Sequence, residues 1–566
     1  MEIEVRGHSG CQIDVVNESG QIFVYKSTAD PKYLRRLALQ ARKQQAAADV
    51  EHQHIRVPKI YDLQENADTT VIKMQYVYSK NFIEFFEQAG FEQVDYLIGA
   101  LEHFLEYEIS KSELQEVLPG VFLGKFADIR QKVESSPYYQ EDFGLPAVTT
   151  DQPEGPCSKK NRLKPEIADL MNRCQQVFDS LQPMTIPVGV CHGDLTFSNI
   201  LFNGNNYYLI DFLDSFIETP LQDIVKIRQD TSYRWSQLMY TKPYDAVRLR
   251  IVCDKIDREI DEYFSCKYPW YAANYRVMQL MNILRILPYA HEEKVINYLV
   301  EVINSILCAD EATKGMDNDT LMDTSQAISG YSCSQETTSS PQRSLIVPVA
   351  ANKPEYTHRM PRVFQMAEDG TLLCIKALQS LDLTKFDHIY ITILRVLDER
   401  YSLSEMLRLQ FRIKGIDHAE VVVLDEPTTS QPDTIYQTIC KMDIHGSIFI
   451  KDADCSFTGE DTSDNAIAIY PLEELDWVNP KNKSYVNVDD MYYITNIIEK
   501  RIVSHFFTAG GYSFHDAATY CRYYERFAHQ PNLYLSHIIY SMLLDKHTFR
   551  PVLTKEYEDF EFKLEK

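Results

Sequence analysis

Apolar and polar positions fall into three regimes along this chain. The first eighty residues hold short apolar runs of strand length. Residues 11–16 and 21–26 read as two strands joined through the turn Glu18-Ser19-Gly20, after the small-residue loop Gly7-His8-Ser9-Gly10. Residues 57–61 and 71–77 read as two further strands. Between the pairs, Asp30-Pro31 is a helix start and residues 32–47 read as helical. Downstream, Phe91, Val94, Leu97, Leu101, Phe104 and Leu105 share one helical face, the pattern of a helix packed on a core.

The second regime is a break. Over residues 310–343 apolar periodicity is lost, and Thr337-Thr338-Ser339-Ser340-Pro341 sits in a run rich in Ser, Thr, Asp and Gln. This reads as a linker between a domain at 1–309 and a second at 344–566. In the third regime, strand-like runs at 345–350, 388–394, 419–424 and 447–451 are separated by helical stretches, as at 372–381 and 402–411. Such alternation implies a largely parallel sheet covered by helices. No internal repeat is visible.

Composition narrows the class. The 566 residues suggest two to four domains, and 45% hydrophobic residues suffice for packed cores. A formal net charge of −25 repels phosphate backbones, so no nucleic-acid partner is expected. No apolar run approaches membrane-spanning length, and Met1-Glu2-Ile3-Glu4 does not read as a signal peptide. The 12 cysteines form no C-x-x-C pair, which argues against structural zinc and fits free thiols in a reducing compartment. The expectation is a soluble cytoplasmic protein with no membrane insertion.

Chemistry concentrates first in His192-Gly193-Asp194-Leu195-Thr196-Phe197-Ser198-Asn199 and the following Ile210-Asp211-Phe212. Residues 200–202 and 207–210 read as a hairpin turning at Asn203-Gly204-Asn205-Asn206, which returns Asn199 and Asp211 to one end. Phosphoryl transfer of the kinase type needs such a set: a carboxylate to orient the attacking hydroxyl, and an amide and a carboxylate to hold Mg²⁺ on nucleotide phosphates. The string resembles the catalytic loop of the aminoglycoside phosphotransferase and choline kinase superfamily, whose folds are protein-kinase-like. Gly193 stands where protein kinases usually carry arginine, as is common in this family's small-molecule kinases. The resemblance implies Asp194 as base, Asn199 and Asp211 as Mg²⁺ ligands, and Lys26 as the lysine gripping the ATP phosphates. It also implies a structural role for Asp223 in tying the loop, and an adenine-binding hinge at the end of the 71–77 strand, with Met74 and Tyr76, for which an ordinary core strand is the open alternative. The 32–47 helix offers Gln40, Gln44 and Gln45 but no acid to pair with Lys26. Trp235, Tyr240, Tyr244, Tyr263, Tyr268, Trp270 and Tyr271 read as aromatic core and surface, with a cation–π pocket for a cationic alcohol as the alternative.

In the C-terminal portion, the strand 448–451 ends in Asp452-Ala453-Asp454, paired carboxylates well placed to bind Mg²⁺. A loop at 426–436 runs into a helix N-terminus that can meet a base or phosphate. With Asn482-Lys483-Ser484-Tyr485, Ile498-Glu499-Lys500 and Gly510-Gly511-Tyr512-Ser513-Phe514, this portion resembles the sugar-nucleotide pyrophosphorylase-like nucleotidyltransferases of glycosyltransferase-A fold. These occur in bacterial capsule and cell-surface polysaccharide pathways. The resemblance implies Asp454 as an Mg²⁺ ligand, beside Asp452 of the carboxylate pair, Glu499-Lys500 at the acceptor side, and Arg362 in place of the usual phosphate-contacting lysine. The loop after the first strand, Ala350-Ala351-Asn352-Lys353-Pro354, lacks the family's glycines.

The expected architecture is therefore an α+β protein-kinase-like two-lobed domain followed by an α/β nucleotide-diphospho-sugar transferase-like domain. The expected function is bifunctional: phosphorylation of a hydroxyl on a small alcohol or sugar with ATP and Mg²⁺, then coupling of the ester to a second NTP, CTP being one candidate. The product is an activated alcohol or sugar for surface polysaccharide. Two alternatives stay open: a kinase fused to a glycosyltransferase-like or degenerate nucleotide-sugar binding domain, and a non-catalytic scaffold.

Overall fold

The computed structural model describes residues 11–140, 163–204, 206–314, 342–350, 359–459, 462–475, 479 and 482–560. The small-residue loop at 7–10, most of the expected linker and residues 351–354 of the glycine-free loop lie outside the described residues. The chain packs as two compact units. One comprises Met1–Phe85, Tyr96–Pro243 and Cys253–Ser332, the other Phe86–Asp95, Tyr244–Val252 and Cys333–Lys566.

The first unit opens with β1 (Gln12–Glu18) and β2 (Gln21–Thr28), followed by α1 (Leu34–Ala48), β3 (Ile55–Arg56), β4 (Ile60–Glu65) and β5 (Thr70–Gln75). The turn between β1 and β2 uses positive φ at Ser19 and Gly20, the backbone that a tight hairpin requires. The antiparallel sheet runs β1-β2-β5-β4. Leu37 and Ala41 of α1 pack against Ile60, Ile72 and Met74 of this sheet. The strand expected at 57–61 starts only at Ile60. Pro58 lacks an N–H for the ladder, and its carbonyl accepts the Gln44 amide instead.

Next come α2 (Phe82–Phe86), α3 (Phe91–Ser110), β6 (Glu113–Val117), α4 (Pro119–Ser135), α5 (Pro165–Asp179) and β7 (Met184–Val188). On α3, Val94, Leu97, Leu101, Phe104 and Leu105 are all buried, as their spacing requires. The hairpin expected after residue 199 forms as β8 (Ile200–Asn203) and β9 (Asn206–Leu209), with β3 added in parallel on the β9 edge. Helices α6 (Pro220–Thr231), α7 (Trp235–Leu238), α8 (Ala246–Lys267), α9 (Pro269–Leu284) and α10 (Glu293–Lys314) follow. Thr219 caps α6 by accepting the Leu221 N–H, which fixes where the helix begins after the Asp211 segment.

The second unit is built on β10 (Arg343–Pro348), α11 (Leu373–Lys376), β11 (His388–Leu394), α12 (Arg395–Tyr401), α13 (Leu403–Lys414), β12 (Ala419–Leu424), α14 (Gln431–Met442) and β13 (Ser447–Lys451). It continues through β14 (Cys455–Thr458), β15 (Ala466–Pro471), β16 (Ser484–Val488), β17 (Ile494–Glu499), β18 (Phe506–Phe514), α15 (Ala517–Glu525), α16 (Leu535–Leu544), β19 (Arg550–Leu553) and β20 (Lys555–Asp559). Its main sheet runs β12-β11-β10-β13-β18-β15-β19, with β16 on β18 and β17 on β16. The first four strands are parallel, as the alternation implied. The sheet is mixed rather than largely parallel, because β18 runs antiparallel to β13 and to both β15 and β16. The chain winds one way from β10 to β12 and then returns to the far side of β10 as β13. That reversal opens a crevice at the carboxyl ends of β10 and β13, the place where open α/β sheets bind ligands.

The stretch 372–381 does not form the expected long helix. It makes the single turn α11, then a chain of tighter turns from Leu378 N–H to Ile375 O and from Leu381 N–H to Leu378 O. Leu372, Leu373, Cys374, Ile375, Ala377 and Leu378 are all buried, so no polar face directs a regular helix there. Ile346 lies fully buried on β10, between Tyr390 of β11 and Ile450 of β13. Ile346→Ala is expected to destabilise the second unit by about 2–5 kcal/mol, read as a lower denaturant midpoint.

Candidate functional site

The loop between β7 and β8 is held by acids from α6. Asp223 accepts backbone N–H groups from both His192 and Gly193, the latter at 2.8 Å. Asp230 accepts the Phe197 N–H at 2.6 Å and both donors of Ser236. On the same helix, the Lys226 ammonium lies 3.0 Å from Asp194. Positions 223, 226 and 230 are three and four residues apart, one face of a helix, and that face addresses the whole loop. The structural tie expected of Asp223 is thus present. Lys226 and Asp230 were not singled out from sequence, although their spacing from Asp223 carried the signal.

Gly193 has a defined reason to be glycine. Its φ is +90°, and a Cβ there would stand 2.0 Å from the Leu213 carbonyl oxygen. His192 is fully buried. Its Nε2 faces the Ile210 carbonyl at 2.9 Å, and its Nδ1 accepts the Asp194 N–H. Burial pulls its pKa down to about 4, so the ring is the neutral tautomer that this pair of bonds demands. Burial alone would raise the Asp194 carboxyl, but the Lys226 ammonium holds it below the usual carboxylate range. Asp194 is therefore ionised at neutral pH.

Asn199 donates its amide nitrogen to the Asp194 carbonyl at 2.8 Å and to its carboxylate at 3.0 Å, which turns Oδ1 away from Asp194. The Ile210 N–H bonds the Asn199 carbonyl at 3.0 Å, joining the two strands next to Asp211. Asp211 sits at a φ of +60°, and its Oδ1 meets the Lys26 ammonium at 2.6 Å. One amide oxygen and one carboxylate on adjoining strand ends fit Mg²⁺, which takes oxygen ligands and keeps several positions for waters and phosphates. The helix that offers no acid to Lys26 supplies Lys43 to the site. Its ammonium bonds the Leu213 carbonyl and Glu218, each at 2.6 Å. Among the expected hinge residues, Met74 is buried in the core under α1, and half-buried Tyr76 stands edge-on to Tyr78.

In the second unit, Asp452 follows the end of β13 at the crevice. The Gln431 amide at the start of α14 bonds its carboxylate at 2.6 Å, which brings the loop running into that helix to the Asp-x-Asp turn. Burial, reinforced by Asp454, pushes the Asp452 carboxyl up to about 6. Gly510 has a φ of +80°, and a Cβ there would lie 2.9 Å from Asp452. Buried Lys451 shapes the turn by donating to the Asp452 and Cys455 carbonyls at 2.7 and 2.8 Å. Pairing of β14 with β20 sets Cys455 opposite Asp559, and the Phe560 N–H bonds the Asp454 carbonyl. Lys483 bridges to Asp559 at 2.7 Å and to the Tyr557 hydroxyl at 2.5 Å. Burial pulls the Lys483 ammonium down, but the charges of Asp559 and Asp454 raise it above its ordinary value.

Lys483 and Asp559 therefore join the Asp452–Asp454 pair, although neither was named as a site residue from sequence. Lys500 is exposed and engages the Tyr534 hydroxyl and ring, with its ammonium 4.0 Å from the ring centre. Arg362 is half-buried in the 3₁₀ turn Arg362–Phe364. Among the described residues, no cluster of three or more His, Cys, Asp or Glu side chains is arranged to hold a metal, and no helix is long and apolar enough to cross a membrane.

The His192 ring makes a pH signature. Its pKa is lower in the folded chain than the ordinary 6.5, so the unfolded chain binds the extra proton between about 6.5 and about 4. Stability from this group is present above pH 6.5 and is lost as the pH falls toward 4, by about 3 kcal/mol. The difference between the denaturation curves of the wild type and His192→Asn, measured from pH 4 to 7, should show that slope.

Comparison with known proteins gives residues 18–249 as a match to the APH family model, described as the phosphotransferase enzyme family. No curated protein matches the chain. Solved structures similar to it include the aminoglycoside phosphotransferase APH(4)-Ia, 9% identical over 54% of this chain and 93% of that one, with a TM-score of 0.36. The nucleoside-diphosphate-sugar pyrophosphorylase of Vibrio cholerae RC9 is 16% identical over 38% of this chain and 92% of that one, with a TM-score of 0.32. The inositol-1-phosphate CTP transferase of T. maritima is 16% identical over 39% and 88%, also at 0.32. The loop that carries Asp194, Asn199 and Asp211 thus lies inside the segment, residues 18–249, that matches the model of the phosphotransferase enzyme family.

Proposed function

We propose that the chain is a bifunctional enzyme that phosphorylates the hydroxyl of a small molecule with ATP and then couples the ester to a second nucleotide. The observation that carries the first activity is the convergence of Asp194, Asn199, Asp211 and Lys26, with Asp194 kept ionised by Lys226. In this reading Asp194 accepts the proton of the acceptor hydroxyl as its oxygen bonds the γ-phosphorus, and ADP leaves. Lys26 and Lys226 hold cationic charge on either side of the transfer. Mg²⁺ held by Asn199 and Asp211 would neutralise charge on the nucleotide phosphates.

For the second activity, Asp452, Asp454 and Asp559 supply carboxylates at the crevice, and Lys483 supplies a cation among them. A phosphate-ester oxygen attacking the α-phosphorus of an NTP would release pyrophosphate there. Activated alcohols or sugars for surface polysaccharide are the product class of that sequence. The second reading, a C-terminal domain that binds nucleotide sugars without transferring, draws on the absence of a preformed metal cluster among the described residues.

Asp194→Asn should lower ATP-dependent phosphorylation by about 100-fold or more, and full activity in this variant contradicts the assignment. Asp454→Ala should stop pyrophosphate release while phosphomonoester formation continues. Equal loss of both activities would rule out separate sites, and a wild type that never releases pyrophosphate favours the binding reading.

A further inference from the structure

At the end of α9, the helix that packs on α6, lies a cation that the phosphoryl-transfer reading does not use. Arg285 directly follows α9, and its Nη1 is buried with no hydrogen-bond partner. The guanidinium lies 5.3 Å from the centre of the Phe216 ring, which is edge-on to Phe122 of α4. The residue before it, Ser215, also has a buried hydroxyl with no partner, while its N–H is fixed by Glu218 at 2.6 Å. Two orphaned polar groups, a cationic donor and a hydroxyl, thus flank one aromatic ring in the segment that follows Asp211. Helix α9 packs on α6, which carries Lys226 and through it Asp194. Burial pulls the Arg285 pKa down, and the Asp194 carboxylate is the charge that most offsets this.

A buried donor without a partner is costly, and sites that keep one usually meet a ligand or an ordered water. Arginine's planar fork suits carboxylate and phosphate oxygens. In this segment Asp214 is exposed, and Glu218, the acid that meets Ser215, is not free to receive a cationic acceptor. Both oxygens of Glu218 are committed, one to Lys43 and one to the Ser215 N–H. In the aromatic segment, read as core and surface with a cation–π pocket as the alternative, Tyr263 and Tyr271 already meet the protein's own cations. Arg228 lies 4.4 Å from the Tyr275 ring centre and bonds the Tyr271 hydroxyl, and Lys267 lies over Tyr263 at 5.1 Å.

We propose that the acceptor is an alcohol carrying an anionic oxygen group, a carboxylate or a phosphate, which Arg285 binds with the Ser215 hydroxyl while its own hydroxyl faces Asp194. This rests on the phosphotransferase reading of Asp194. The test is calorimetric titration of the full chain saturated with Mg²⁺ and a non-hydrolysable ATP analogue. The probes are glycerate, glycerol 3-phosphate, glycerol and choline.

Binding of glycerate or glycerol 3-phosphate, but not glycerol or choline, is expected, and the stronger of the two identifies the anionic group. Arg285→Gln should weaken that binding at least tenfold, and Arg285→Lys should restore part of it, with nucleotide binding unchanged in both. Preference for choline or glycerol, or an Arg285→Gln variant that binds the anion as the wild type does, overturns the proposal. So does normal nucleotide binding with no anionic probe bound, which leaves Arg285 facing only water. Failure of the wild type to bind the nucleotide would instead overturn the phosphotransferase reading itself.

Discussion

The loop that carries Asp194 depends on one buried carboxylate. Asp223 receives the N–H groups of His192 and Gly193, and it can do so only because Gly193 takes a left-handed backbone that no other residue fits beside the Leu213 carbonyl. Burial pushes the Asp223 carboxyl up, and it shares a hydrogen bond with buried Glu108, whose own carboxyl is raised further. From that anchor the rest follows along α6: Lys226 sets the charge on Asp194, and Asp230 fixes the far end of the loop at Phe197. A single helix face thus determines where the loop stands and that Asp194 is ionised.

The second unit reaches a comparable arrangement by strand register. β13 ends in the crevice where the winding of the sheet reverses, so Asp452 and Asp454 lie where a ligand can enter. The β14–β20 pairing then brings Asp559 from the far end of the sequence to the same turn, with Lys483 against it. Lysines are the counterweight in both units: Lys226 and Lys26 in the first, Lys451 and Lys483 in the second.

Local signals were legible in the sequence because they are local. The hairpin after Asn199, the β1–β2 pair and the β13 strand ending in Asp-x-Asp each lie within about twenty residues, and turn chemistry with apolar runs marks them. What escaped was set by distant pairing. Glu108 meets Asp223 across more than a hundred residues, and Asp559 meets Lys483 from a strand near the chain's end. Lys43 was passed over because an acid was sought on its helix, whereas the structure gives Lys26 its carboxylate from Asp211. The antiparallel half of the second sheet was hidden for the same reason. Strand–helix alternation reports the neighbours in sequence, and β18 pairs with β13, β15 and β16 across intervening segments.

The most direct measurement is phosphorus NMR of the protein with ATP, CTP and Mg²⁺ and a pool of anionic, neutral and cationic alcohols and sugars. The account predicts a new phosphomonoester that depends on Asp194 and then becomes a diphosphate diester as pyrophosphate appears. Persistence of ATP with no phosphomonoester from any member of the pool would contradict it.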